Sequence, residues 1–197
     1  MPITTYKDYL DFLKENGLEG VTEHKQIKPA TAEYICSLFG QIGFESILEI
    51  GRSRGHSFGL MRFLLPDAFI VSVDPKPHPV AYRVALLDAF DDHFLLFNSL
   101  GWADLLDHEP KFDFVLVDGD HSYAGVKRDW DTIQPYLQDR AVILFDNVNI
   151  KGVARLFGEI DGHEKFLPCD YPQFVECGYS APFGVVLWYE GSSDEEV

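Results

Sequence analysis

The chain has 197 residues, of which 46% are apolar and 24% charged, the composition of one soluble globular domain with a sizeable core. A formal net charge of −16 repels nucleic acid and anionic membrane surfaces, so neither is an expected partner. The three cysteines (Cys36, Cys169, Cys177) are odd in number and irregularly spaced, which argues against a disulfide framework and for a reduced, cytoplasmic protein.

The start of the chain, MPITTYKDYLDFLKENG, is polar and charged, unlike a secretory signal. No apolar run approaches the roughly 20 residues that span a bilayer. Residues 5–16 read as an amphipathic helix with Tyr6, Tyr9, Leu10 and Leu13 on one side and Gly17 after its end. A polar connection over 19–28 follows. Pro29 then starts a second helix, with an expected buried stripe of Ala32, Ile35, Leu38, Phe39 and Ile42. Residues 1–28 form a helical extension to the domain.

From there strands and helices alternate. Strands are expected over 46–50, 69–73, 94–97, 112–117 and 141–145. Helices are expected over 56–65, 80–90, 102–106, the stretch carrying Val126 to Leu137, and 153–160. A late strand at 165–167 or 173–177, with a further one at 184–189, implies an antiparallel edge hairpin. The whole reads as an α/β, doubly wound, mostly parallel seven-stranded sheet of Rossmann-like type, with helices on both faces. Residues 1–197 make one domain, and the acidic segment 192–197 is a solvated, frayed tail.

Two apolar runs, FDFVLV and AVILF, end abruptly in oxygen-bearing side chains. Runs with little alternation suit strands buried on both faces. Open α/β sheets bind ligands at the C-terminal ends of their strands. Adjacent strands would therefore bring Asp118, Asp146 and Asn147 around one point. Three hard oxygen donors there suggest a magnesium- or calcium-like ion.

The stretch ILEIGRSRGHSFGLM runs strand, glycine turn, helix. Gly51 and Gly55 allow close backbone approach, and the helix N-terminus presents free N–H groups near Ser57. Such a turn binds a dinucleotide or another nucleoside, although its G-x-x-x-G spacing is not that of a pyrophosphate fingerprint. Asp74 ends the next strand, where a carboxylate can accept hydrogen bonds from ribose hydroxyls. Glu49, a charge inside a buried strand, has to accept hydrogen bonds from turn amides or from a ligand. His56 at the helix start reads as exposed, Asp91, Asp92 and His93 as a solvated turn, and Trp130 as core.

Together these residues resemble the class I S-adenosylmethionine-dependent methyltransferases, and within them the small metal-dependent O-methyltransferases of the catechol and caffeoyl-coenzyme A type. Bacterial sugar O-methyltransferases and the cephalosporin hydroxylase-like family are similar too. The resemblance spans about residues 28–190. It rests on E-x-G-x-x-x-G-x-S (Glu49, Gly51, Gly55, Ser57), Asp74, DGDHSYxGVxxD (Asp118 to Asp129), and the pair Asp146–Asn147.

The resemblance implies roles for individual residues. Gly51, Arg52, Ser53 and Ser57 would line the methionine end of S-adenosylmethionine, with Glu49 and Asp118 also at the cofactor. Asp74 would hold its ribose, and Asn98 and Ser99 would flank its adenine. Asp118, Asp146 and Asn147 would bind a divalent ion, magnesium before calcium or manganese. Asp120 and His121 occupy the place of the catalytic base. The implied reaction is metal-assisted O-methylation of a small hydroxylated acceptor, and an apolar edge hairpin allows a homodimer. Departures are Arg52 and Arg54 in a turn of usually small residues. One guanidinium could clamp the methionine carboxylate, Arg54 could point to water, or both could crowd the pocket. Other chemistry on the same scaffold, or nucleoside binding without catalysis, are the alternative readings.

Overall fold

The computed structural model describes residues 5–21, 27–76, 78–85, 94–97, 101–105, 110–167 and 183–189. Among the described residues seven strands appear in chain order: β1 (Ser46–Ile50), β2 (Phe69–Val73), β3 (Phe94–Phe97), β4 (Phe112–Val117), β5 (Leu137–Phe145), β6 (Glu164–Phe166) and β7 (Gly184–Tyr189). They form one sheet in the order β3-β2-β1-β4-β5-β7-β6. The five strands from β3 to β5 are parallel, and β7 runs antiparallel to both β5 and β6. This is the expected mostly parallel sheet with an antiparallel edge.

Side chains alternate between the two faces of each strand. Ile47, Phe114, Leu116, Leu144 and Val185 face one core layer, shared with helices α1 (Tyr6–Glu15), α2 (Pro29–Gln41) and α3 (His56–Leu64). Leu48, Ile50, Val115, Val117 and Ile143 face the other, shared with α5 (Tyr123–Ile133) and α6 (Lys151–Glu159). A short helix α4 (Pro79–Ala85) packs beside α3. Burial on both sides explains the near-continuous apolar strands.

Local signals set the helix ends. Thr5 and Asp8 form a reciprocal capping box at α1. Pro29 takes the first position of α2, where its missing N–H has no partner to lose. Two details differ from the sequence reading. The buried stripe of α2 is Thr31, Ala32, Ile35, Cys36 and Phe39, while Ile42 follows the helix and is 43% exposed. β5 begins at Leu137, which helical spacing had placed on the preceding helix, and runs through Gln138, Asp139 and Arg140, polar and at least partly exposed, beside a register shift between Phe112 and Phe114. The helix from residue 80 is described only to Ala85, and residues 86–93, with Asp91, Asp92 and His93, lie outside the described residues.

His56 is also not exposed: it is 3% accessible. The Tyr9 ring stacks on it at 5.6 Å, the Tyr6 hydroxyl pairs with its Nε2 at 3.2 Å, and the Tyr9 hydroxyl donates to its carbonyl at 3.0 Å. Helix α1 is thereby anchored to the first residue of α3. Burial lowers the His56 pKa to about 4 from an ordinary 6.5. Below pH 6.5 the unfolded chain takes up a proton that the folded chain refuses, so this histidine subtracts stability as pH falls from 6.5 towards 4. The full effect is roughly 3 kcal/mol. Buried acids such as Asp146 act with the opposite sign, so the effect is isolated against a His56→Gln variant. Urea unfolding from pH 7.5 to 4 is expected to narrow the gap between the two proteins; a constant gap would refute the assignment.

Candidate functional site

Strand β1 leads into a turn that only glycine can begin. Gly51 has φ +104°, and a Cβ built there would lie 2.0 Å from the Asp118 carbonyl oxygen at the exit of β4. Its N–H and that of Arg52 donate to the Val73 carbonyl at 2.8 and 3.2 Å, tying the turn to the exit of β2. Gly55, at φ +85°, precedes α3 and abuts Ala81 of α4. The turn thus lies at the C-terminal ends of β1, β2 and β4, beside the point where the strand order reverses.

Asp74 orders the same turn. Its carboxylate accepts the Ser53 N–H and the Lys76 N–H, each at 2.7 Å. Glu49 is fully buried, and its two oxygens accept from the hydroxyls of Ser57 and Ser72. Ser72 is its register partner on β2. Burial raises the Glu49 pKa, while the two hydroxyls and the Arg52 charge pull it down. Arg52 is 1% exposed and donates to the carbonyls of Ser72 at 2.7 Å and Phe97 at 3.4 Å. Arg54 reaches the Gly20 carbonyl at 3.1 Å. Both guanidinium groups therefore support the turn from the protein side. Asn98 and Ser99 lie outside the described residues, as do Cys169 and Cys177.

One strand over, the acidic tips converge. The Asp118 N–H donates to Ile50 at 2.8 Å and the Asp146 N–H to Val117 at 3.0 Å, so each tip is held by the preceding neighbour. Asn147 adopts φ +59°, a left-handed conformation that asparagine tolerates. Its amide nitrogen meets Asp146 Oδ2 at 2.6 Å, His121 Nε2 at 3.3 Å and Asp118 Oδ1 at 3.4 Å. His121 Nε2 is itself 3.3 Å from Asp118 Oδ1. Four of the expected residues thus share one point.

The electrostatics follow from this crowding. Burial, and then the Asp118 charge, push the Asp146 pKa up to about 6. The Asp118 hydrogen bond raises that of His121. Asp120 plays a different part. Its carboxylate accepts the Ser122 N–H at 2.9 Å, and Ser122 in turn caps α5 by accepting the Gly125 N–H at 3.1 Å. This turn aims His121 into the cluster and keeps Asp120 exposed.

Two residues of the site were missed by the sequence reading, both from the first turn of α2. The Thr31 hydroxyl donates to Asp146 Oδ1 at 3.1 Å, and Lys28 Nζ donates to Asn147 Oδ1 at 3.2 Å. A signal existed for Lys28. It is the N-cap of α2 and caps nothing with its side chain, whereas cations are disfavoured at the positive end of a helix.

A parallel sheet entered at a glycine turn, with acidic strand tips and an antiparallel final strand, defines the class I methyltransferase architecture. A methyltransferase-domain family matches residues 48–148, and the chain belongs to that family. The resemblance to S-adenosylmethionine-dependent methyltransferases is thereby borne out. No curated protein sequence matches the chain. Among solved structures it is similar to a candidate O-methyltransferase from Klebsiella pneumoniae, at 18% identity and TM-score 0.67, over 92% of this chain and 89% of that one. It is similar to an O-methyltransferase from Bacillus cereus in complex with SAH, at 15% identity and TM-score 0.62, covering 96% and 94% of the two chains. The O-methyltransferase TomG of Streptomyces achromogenes, in complex with SAM, has 15% identity and TM-score 0.63, covering 94% and 89%.

The His121 loop is braced by α6. A Cβ on Gly152 would lie 2.3 Å from the His121 carbonyl oxygen and 2.5 Å from the Tyr123 nitrogen. In an unhindered helix, alanine is favoured over glycine by about 1 kcal/mol. Here Gly152→Ala is expected to destabilise the protein by about 1–3 kcal/mol instead, and to shift the amide resonances of His121 to Tyr123. A gain in stability by urea unfolding would contradict the contact.

Proposed function

We propose that this protein transfers the methyl group of S-adenosylmethionine to a hydroxyl oxygen of a small acceptor, with a divalent ion held at Asp118, Asp146 and Asn147. The observation that carries the reading is the convergence of Asp118 Oδ1, Asp146 Oδ2 and His121 Nε2 on one nitrogen of Asn147, beside the glycine turn. The cofactor assignment is supported by family membership, by the Gly51 turn with Asp74 at its rim, and by the SAM and SAH complexes of proteins with this fold.

The donor set suits a hard cation. Among the described residues no group of three or more His, Cys, Asp or Glu side chains is arranged to hold a metal. The carboxamide oxygen of Asn147 would serve as the third donor, beside two carboxylates. Two carboxylates and an amide oxygen match magnesium, calcium or manganese chemistry. When bound, such an ion would supply positive charge that lowers the pKa of an acceptor hydroxyl.

The chain's own residues supply the rest. His121 takes the hydroxyl proton; its Nε2 faces the cluster, and Asp118 stabilises its protonated form. Asp120 positions that histidine through the Ser122 turn. The acceptor oxygen then bonds to the methyl carbon as the carbon–sulfur bond breaks, and the electron pair goes to sulfur. The step is an in-line displacement, so placement supplies most of the acceleration. The acidic cluster favours the cationic cofactor over its neutral product.

Calorimetry tests the reading. S-adenosylmethionine and Mn2+ are each expected to give binding heat with the unsubstituted protein, and Asp118→Ala is expected to lose the Mn2+ heat while keeping its melting transition. Metal affinity unchanged in Asp118→Ala would remove Asp118 from the ligand set, and absence of cofactor binding would end the methyltransferase reading.

A further inference from the structure

The Asn147 carboxamide is held in one orientation from both ends. Its NH2 group faces Asp146 at 2.6 Å and Asp118 at 3.4 Å, and its oxygen faces the Lys28 ammonium at 3.2 Å. Carboxylates only accept and an ammonium only donates, so the two ends enforce the same orientation. Lys28 is half-buried, and its charge also acts on Asp146, where it opposes the effect of burial. The helix that carries it is fixed to the same acid by Thr31.

We propose that Lys28 is a built-in cation that competes with the divalent ion for this site and sets its affinity; the inference rests on the metal reading above. To become a ligand, the Asn147 oxygen has to face the carboxylates. That half-turn would bring the amide NH2 against the Lys28 ammonium, donor against donor. The ammonium must therefore withdraw before the metal site is complete. It is also a like charge close to any bound cation, which weakens binding further. Lys28 thus keeps the two carboxylates and the carboxamide ordered without a metal, at the expense of metal affinity. It acts through Asn147 and is a positioning residue.

The test is Mn2+ binding to the full chain by calorimetry, and by the electron paramagnetic resonance of free Mn2+, for three proteins: unsubstituted, Lys28→Met and Lys28→Arg. Lys28→Met keeps the length and removes the charge. It is expected to bind Mn2+ about tenfold or more tightly. Lys28→Arg keeps the charge and is expected to stay within about threefold of the unsubstituted protein. Equal or weaker Mn2+ binding in Lys28→Met overturns the competition while leaving the metal site standing. No Mn2+ binding in any of the three overturns both. Melting curves recorded alongside show whether each variant is folded, and Lys28→Arg provides the comparison if Lys28→Met is not.

Discussion

The site depends on how closely β1 and β4 approach where they leave the sheet. The Asp118 carbonyl occupies the volume that any side chain at residue 51 would need. A single missing Cβ therefore sets the distance between the glycine turn and the acidic tips. Parallel pairing carries this outward: Ile50 holds Asp118, and Val117 holds Asp146, each through a backbone hydrogen bond. The two functional halves are thus registered by main chain, which is stiffer than any side-chain contact between them.

Beneath the turn, the protein keeps a carboxylate and a guanidinium in its interior. Such groups are costly unless fully bonded. Glu49 meets this with two serine hydroxyls, and Arg52 sets one guanidinium nitrogen on the carbonyl ends of β2 and β3. The turn is consequently braced from below by polar bonds that have one geometry, where an apolar filling could slide. Asp74 does the same from the rim.

Much of this was legible in the sequence because parallel strands buried on both faces leave continuous apolar runs. Strands β1 to β4 begin and end where their patterns do, and the residues closing β4 and β5 meet as the topology requires. Where a pattern is diluted the reading fails. In β5 the polar Gln138, Asp139 and Arg140 separate Leu137 from the apolar run, so its start was not visible. The face of α2 was read with Leu38 and Ile42 in place of Thr31 and Cys36, because both stripes fit the helical period. His56 was read as exposed because nothing local reveals that Tyr6 and Tyr9, some fifty residues earlier, close over it. The roles of Lys28 and Thr31 were hidden for the same reason: their partners are more than a hundred residues away. Arg52 and Arg54 showed their charge in the sequence, but not the backbone carbonyls that receive it.

The strand order of the sheet bears on how the molecule is assembled during synthesis. Strand β7 lies between β5 and β6, although both precede it in the chain. On a ribosome, β6 emerges with no partner to pair with, and β5 presents an open flank until residues 184–189 are out of the tunnel. The bare edge of β5 in that interval is a template for pairing with another nascent chain. The parallel portion, with its glycine turn, can form earlier, so that half of the sheet should be in place on the nascent chain before the barrier against intermolecular pairing is complete.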